Sequence, residues 1–302
     1  MKNAHLDTAP VPVAQVHRPT ALVDYVALMK PRLNLLVVVT SAAGYYLGAA
    51  GGADLLLLAA AAAGTALVAA GAAVLNQVYE RDTDALMLRT RLRPLPDGRV
   101  TPADAQVFGL VLSAAGLALL AAFANLTAAG LALATIAIYL AVYTPMKLRT
   151  PTATLVGAVP GALPPLIGWT AGHGGVSVGG VTLFTIVFLW QIPHFMAISW
   201  MYRDDYAKAG FPMLPVIEPD GTRAGRQAFV YAIALLVASA IPTLVAISGT
   251  AYLTTALALG VAFAWLALQF AKARTDETAR RLFFGSIIYL PLLWIAMIAD
   301  RL

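Results

Sequence analysis

Cysteine is absent from the 302 residues, which excludes disulfides, thiolate metal sites and cysteine nucleophiles. Charge is scarce as well. Asp, Glu, Lys and Arg make up 12% of the chain, about half the share of a soluble domain. A soluble protein of this length can bury a large core, but it must still cover itself with charge, and this chain has too little. The amino end lacks the apolar core and cleavage site of a signal peptide and the arginine density of a transit peptide. Residues 1–29, with Pro10, Pro12 and Pro19 among scattered charges, read as a flexible cytoplasmic tail ahead of a single domain over 30–302.

What fills the chain is apolar, 60% of all residues, in blocks near the roughly 20 residues that span a bilayer. Nine such segments run near Leu33–Ala50, Leu55–Leu75, Ala105–Ala124, Ala128–Tyr143, Thr154–Ala171, Val178–Trp200, Ala228–Ile247, Tyr252–Phe270 and Leu282–Ala299. This predicts an all-α, polytopic integral membrane protein with nine transmembrane helices. With the amino terminus in the cytoplasm, every one of the 20 Lys and Arg residues except Arg301 falls in a cytoplasmic segment, while the opposite loops, such as Gly51–Asp54 and Gly172–Ser177, carry none. Positive charge retained on one side sets orientation, so the net charge of +5 belongs to topology and not to nucleic acid. The fifth span carries Pro160, Pro164 and Pro165. Such breaks are tolerated in a membrane where neighbouring helices or a water-filled cavity satisfy the freed carbonyls, so this span is expected to line something.

Two cytoplasmic loops, Asn76 to Asp104 and Met201 to Arg226, are long and dense in carboxylates and arginines, and connections beyond about a dozen residues are usually functional or disordered. In the first, Asn76, Glu80 and Asp84 are spaced i, i+4, i+8 and stay on one helix face. Such oxygens suit Mg²⁺, which takes carboxylates and keeps waters or phosphates as its other ligands; a solvated helix end beside the headgroups explains them equally well. Arg89, Arg91, Arg93 and Arg99 follow. Guanidinium forks beside a metal are what a diphosphate needs, although some of these arginines only enforce topology. The second loop offers Asp204 and Asp205, and Tyr143 to Arg149 forms a short basic loop around Lys147. His194, ionisable and near a span, is a functional candidate: an iron ligand, a proton shuttle or a helix-to-helix hydrogen bond.

Asn76-x3-Glu80-x3-Asp84 resembles the first acidic motif of the UbiA superfamily of membrane prenyltransferases, usually Asn-x3-Asp-x3-Asp. Further stretches are similar to one branch, the protohaem IX farnesyltransferases (haem O synthases): Lys30-Pro31-Arg32, Arg81 to Met87, Arg89 to Pro96, Tyr143 to Lys147, Pro164 to Trp169, Trp190 to Phe195, Asp204-Asp205-Tyr206 and Gly210 to Pro215. The likeness runs from Lys30 to the last span. It implies a UbiA-like bundle around a central cavity in a bacterial inner membrane, with the carboxyl terminus on the far side. It also implies Mg²⁺-dependent transfer of a farnesyl group from farnesyl diphosphate to the 2-vinyl group of haem B, giving haem O, with a haem A synthase as partner. Carried over by position, Asn76, Glu80, Asp84, Asp204 and Asp205 bind the metal and, with His194, form the catalytic set. Arg81, Arg91, Arg93, Lys147 and Lys208 hold the diphosphate, and Arg32, Asn34, Tyr143, Trp190 and Gln191 line the cavity.

Two positions depart from the superfamily pattern: Glu80 stands where aspartate is usual, and the second loop offers Gln191 and His194 in place of an early aspartate. Rival readings are a prenyltransferase acting on a quinone precursor, which shares the metal site, a transporter, and a haem-handling assembly factor. Transporters usually hold their coupling sites near mid-membrane, whereas these acids sit at one interface.

Overall fold

Polar residues at the span ends fix where helices begin. Asp54 accepts hydrogen bonds from the backbone of Leu56 and Leu57, Thr101 caps Asp104 with Pro102 in the first turn, and Asn125 caps Ala128. Each satisfies amide donors that a helix start leaves open. The computed structural model describes residues 20–302. Its long helices are α2 (Pro31–Gly48), α3 (Leu55–Tyr79), α4 (Pro102–Phe123), α5 (Leu126–Met146), α6 (Ala153–His173), α7 (Val178–Met201), α8 (Thr222–Leu244), α9 (Thr250–Ala273) and α10 (Asp276–Ala299), preceded by the short α1 (Ala21–Leu28). No strand occurs among the described residues.

Eight of these helices, α3 to α10, are 21–25 residues long and apolar enough to cross a membrane. At about 1.5 Å per residue they exceed the ~30 Å hydrocarbon core. The first expected span, α2, is a helix of 18 residues whose start carries Arg32 and Asn34. The protein is a multi-pass, all-helical membrane protein. The last helix begins six residues before the expected Leu282, because Thr275 and Thr278 form a capping box that lets Asp276 to Arg281 wind into its first turns.

Of the expected tail, residues 1–19 lie outside the described part. The remainder departs from a flexible tail: Ala21–Leu28 is helical. Its Asp24 is buried against the Arg99 guanidinium at 2.9 Å, and Leu28 packs with Val74, Leu95, Val100 and Ala105. Gln77 donates to the Leu28 carbonyl at 2.7 Å. This anchoring sets the turn into α2.

Small residues let the helices approach closely, as membrane bundles require. A Cβ added to Gly168 of α6 would collide with the Ser41 carbonyl of α2. The prolines of α6 do not face a cavity as expected. Pro160, Pro164 and Pro165 are buried between neighbouring helices, and the Gln191 amide from α7 reaches across to the Ala158 carbonyl at 3.2 Å. That bond ties α7 to α6, and α6 reaches the cavity described below only through Thr154.

Candidate functional site

At the end of the bundle that carries the long charged loops, a cavity of about 300 Å³ is walled by Asn76, Glu80, Asp84, Arg93, Tyr139, Tyr143, Lys147 and His194, together with Lys30 and residues of both loops. The acidic triad reaches it by a continued helical repeat. Helix α3 ends at Tyr79, yet Glu80 N–H donates to the Asn76 carbonyl and Asp84 N–H to the Glu80 carbonyl, at 2.9 and 2.8 Å. The i, i+4, i+8 register thus survives the change of direction, and all three side chains are buried.

Each acid already holds a cation. Lys147 Nζ lies 2.7 Å from Glu80 Oε1, and Arg93 lies 2.7 Å from Asp84 Oδ2. The Asn76 amide donates to Thr144 Oγ1 at 3.1 Å, and its Oδ1 accepts from the Tyr139 hydroxyl at 3.3 Å. Pro145 has no N–H for the Ala141 carbonyl, and just upstream α5 widens into a π turn over Ile138–Tyr143, a distortion frequent at functional sites. There Tyr139 and Tyr143 stack at 5.4 Å and Lys147 Nζ sits 5.4 Å over the Tyr143 ring. Burial alone would lower the Lys147 amine; Tyr143 and the Glu80 carboxylate outweigh it and hold the amine above the usual lysine range.

The donor set suits a hard divalent cation. No group of three or more His, Cys, Asp or Glu gathers among the described residues. The cavity offers two carboxylates and an amide oxygen, and Mg²⁺ needs few protein ligands because it keeps waters and phosphate oxygens. Glu80 Oε2 and Asp84 Oδ1 accept no hydrogen bond among the described residues, which leaves a lone-pair-bearing oxygen of each acid for a ligand.

The two loops meet above the cavity. Met87 of the first packs with Ala209 and Phe211 of the second, Phe211 covers the Lys147 amine at 5.0 Å, and the Arg89 guanidinium lies 5.3 Å over the Tyr202 ring. The second acidic pair does not join the first. Asp204 is exposed, Asp205 half-buried, and neither lines the cavity. The cause is helical register. Arg203–Lys208 is a helix that turns Tyr206 inward, and at about 100° per residue Asp204 then points to the far side. Lys208 is likewise exposed, as is Arg91, and Arg81 turns outward to pair with Asp82.

Four residues expected in the cavity wall lie outside it. Arg32 is exposed, and Asn34 donates to the Met29 carbonyl at 2.6 Å. Trp190 and Gln191 sit deeper in the bundle, where Trp190 Nε1 donates to the Ser286 carbonyl at 2.9 Å. Tyr143 and His194 do line it. His194 Nδ1 pairs with Ser286 Oγ at 2.7 Å.

Sequence reasoning gave no role to Lys30, Tyr139 or Thr144, all of which reach the site. Lys30 adopts the left-handed conformation, φ 50°, uncommon for a residue with a Cβ. The turn between α1 and α2, locked by Asn34, aims its side chain into the cavity. Burial, then the Arg93 guanidinium, lower its amine to about 7. The lysine immediately before Pro31 was the available signal.

Residues 37–289 match the family model described as the UbiA prenyltransferase family. The chain is similar to proteins named protoheme IX farnesyltransferase. That of Solibacter usitatus is 48% identical over 78% of this chain and 80% of its own length, and that of Opitutus terrae 45% over 92% and 95%. Among solved structures, a digeranylgeranylglyceryl phosphate synthase superposes with a TM-score of 0.78 at 20% identity, covering 92% of this chain and 98% of the other. A UbiA homolog from Archaeoglobus fulgidus bound to GPP and Mg²⁺ gives 0.65 at 19%, covering 91% and 99%. These two likenesses carry the fold alone. The family model over residues 37–289, with relatives at 48% and 45% identity, shows that the chain belongs to the UbiA prenyltransferase family.

Proposed function

We propose that this membrane prenyltransferase transfers a farnesyl group from farnesyl diphosphate to a vinyl group of haem B, giving haem O, with Mg²⁺ as its cofactor. The observation that carries the reading is the meeting of Asn76, Glu80 and Asp84 with Lys30, Arg93 and Lys147 in one cavity at the charged end of the bundle. The choice of haem B as acceptor rests on the relatives, which bear the name protoheme IX farnesyltransferase. The proposed setting is a bacterial inner membrane, with the amino terminus on the cytoplasmic side and the product passed to a haem A synthase. Retention of positive charge at one end supports that orientation.

Mg²⁺ held by Asn76, Glu80 and Asp84 supplies charge neutralisation for the diphosphate. The protein's own residues do the rest. Lys147 and Arg93, which pair with the carboxylates, turn to phosphate oxygens when the substrate arrives, and Lys30 adds a third cation. Donors fixed before the reaction stabilise the charge that builds on the leaving group. The C1–O bond breaks, diphosphate departs and an allylic cation remains. Tyr143, Phe195, Ile198 and Phe211 also line the cavity, and their apolar surface keeps water from the cation. The terminal vinyl carbon adds to the cation, water adds to the inner carbon, and one proton is lost. A hydroxyethyl-type farnesylated product results.

The test supplies the purified protein with Mg²⁺, farnesyl diphosphate and haem B, and analyses the pigments by mass. Farnesylated haem is the expected product. Prenylated hydroxybenzoate in a parallel incubation, with no farnesylated haem, transfers the case to a quinone-precursor enzyme.

A further inference from the structure

His194 lines the same cavity as the cations and carboxylates, and its surroundings fix more than its position. Ser286 of α10 is fully buried, and its Oγ lies 2.5 Å from the Phe283 carbonyl. A carbonyl only accepts, so the serine proton is committed there. Ser286 Oγ is then an acceptor toward His194 Nδ1, 2.7 Å away, and Nδ1 must carry the ring proton. The other nitrogen, Nε2, is left with a free lone pair and makes no hydrogen bond among the described residues. The imidazole stacks on Trp190 at 5.0 Å and on Phe283 at 5.1 Å, with interplanar angles of 20° and 25°. Trp190 is itself held by its hydrogen bond to the Ser286 carbonyl. A neutral imidazole with one nitrogen donating to the protein and the other bare at a cavity wall is the arrangement of a metal-bound histidine, whose second N–H is almost always spoken for.

We propose that His194 Nε2 is an axial ligand to the iron of the porphyrin acceptor, and that Ser286, through the Phe283 carbonyl, is the positioning residue that holds His194 in the ligating tautomer. The inference rests on haem B being the acceptor. Ligation through iron leaves the macrocycle one free rotation, about the Nε2–iron axis. The choice of vinyl group then falls to whichever pyrrole edge the cavity walls admit beside the prenyl donor.

The experiment adds one equivalent of ferrous haem B, without oxygen, to the full chain in detergent and records the iron–histidine stretch by resonance Raman alongside the haem dissociation constant. Wild type shows the band. His194→Gly loses it and regains it when imidazole is added. Ser286→Ala lowers the band frequency and weakens haem binding roughly tenfold, and Ser286→Thr restores both; melting temperature tracks folding throughout. A band that persists in His194→Gly without imidazole overturns the proposal, as does Ser286→Ala with band and affinity unchanged. Farnesylation of haem B by a wild type that lacks the band removes this inference and leaves the proposed function standing. Neither binding nor farnesylation of haem B, with prenylation of hydroxybenzoate, removes both.

Discussion

Asp84→Asn separates the chemical from the structural contribution of the acidic triad. Asp84 is 1% exposed, and its partner Arg93 retains 25% of its side-chain surface. Neutralising the carboxylate converts a charge-assisted bond, worth about 1.5–3 kcal/mol, into an amide–guanidinium one that Asn still makes through Oδ1. Arg93 also keeps access to water, so screening reduces the loss further. The expected destabilisation is about 1–2 kcal/mol, a few degrees in the melting temperature. The chemical effect is far larger, because the substitution removes one of two carboxylates available to the metal. Loss of a fixed transition-state contact costs on the order of 10²–10³ in rate, and 10³ corresponds to about 4 kcal/mol.

The assay measures farnesylated product at saturating substrates across a Mg²⁺ titration, with circular-dichroism melting on the same samples. Glu277→Gln serves as the control. That residue pairs with Arg281 on an exposed face of α10, and such pairs are worth about half a kcal/mol. Turnover in Asp84→Asn within threefold of wild type, at an unchanged Mg²⁺ requirement, refutes the assignment. So does a loss of turnover no greater than the loss of folded protein.

Apolar runs made the multi-pass, all-helical membrane fold legible, since it follows from residue type alone. The first half of the site was legible for a related reason: Asn76, Glu80 and Asp84 recur at the helical period, and the chain keeps that period through the bend at Glu80. The second half was not. Asp204 and Asp205 are adjacent, and which neighbour faces inward depends on where the helix Arg203–Lys208 begins. The packing of Phe211 on Met87 decides that, a contact between residues more than a hundred positions apart. Trp190, Gln191 and His194 share one motif but divide by depth, with His194 at the cavity and the other two holding the helices behind it. Lys30 went unassigned because its aim depends on a left-handed turn and on the anchoring of α1, neither of which shows in side-chain periodicity. The prolines of α6 do not mark a cavity wall: all three are buried in the bundle, and only Thr154 of that helix reaches the cavity.

Gly168→Ala forces a methyl group against the Ser41 carbonyl and should cost about 1–3 kcal/mol. Gly130→Ala meets nothing within 4 Å and should leave the detergent melting temperature level or raised; equal effects would argue against the α2–α6 contact. Phe211→Ala opens the cap over Lys147 and admits water to the allylic cation, so the ratio of farnesol to farnesylated haem should rise at least several-fold, and an unchanged ratio would rule out a water-excluding role. Lys30 yields a pH signature. Burial and the Arg93 guanidinium lower its amine to about 7, below the usual lysine range, so it is charged below that pH and increasingly neutral above it. A bound diphosphate favours the charged form. Between that value and the higher one with diphosphate bound, binding must therefore take up a proton, and affinity for farnesyl diphosphate should fall with rising pH by up to about tenfold per unit above 7. Lys30→Arg, charged throughout, should flatten that slope while keeping affinity, and Lys30→Met should flatten it at a uniformly weaker value. A wild-type slope retained in Lys30→Met would assign the titration to another group and remove Lys30 from the diphosphate site.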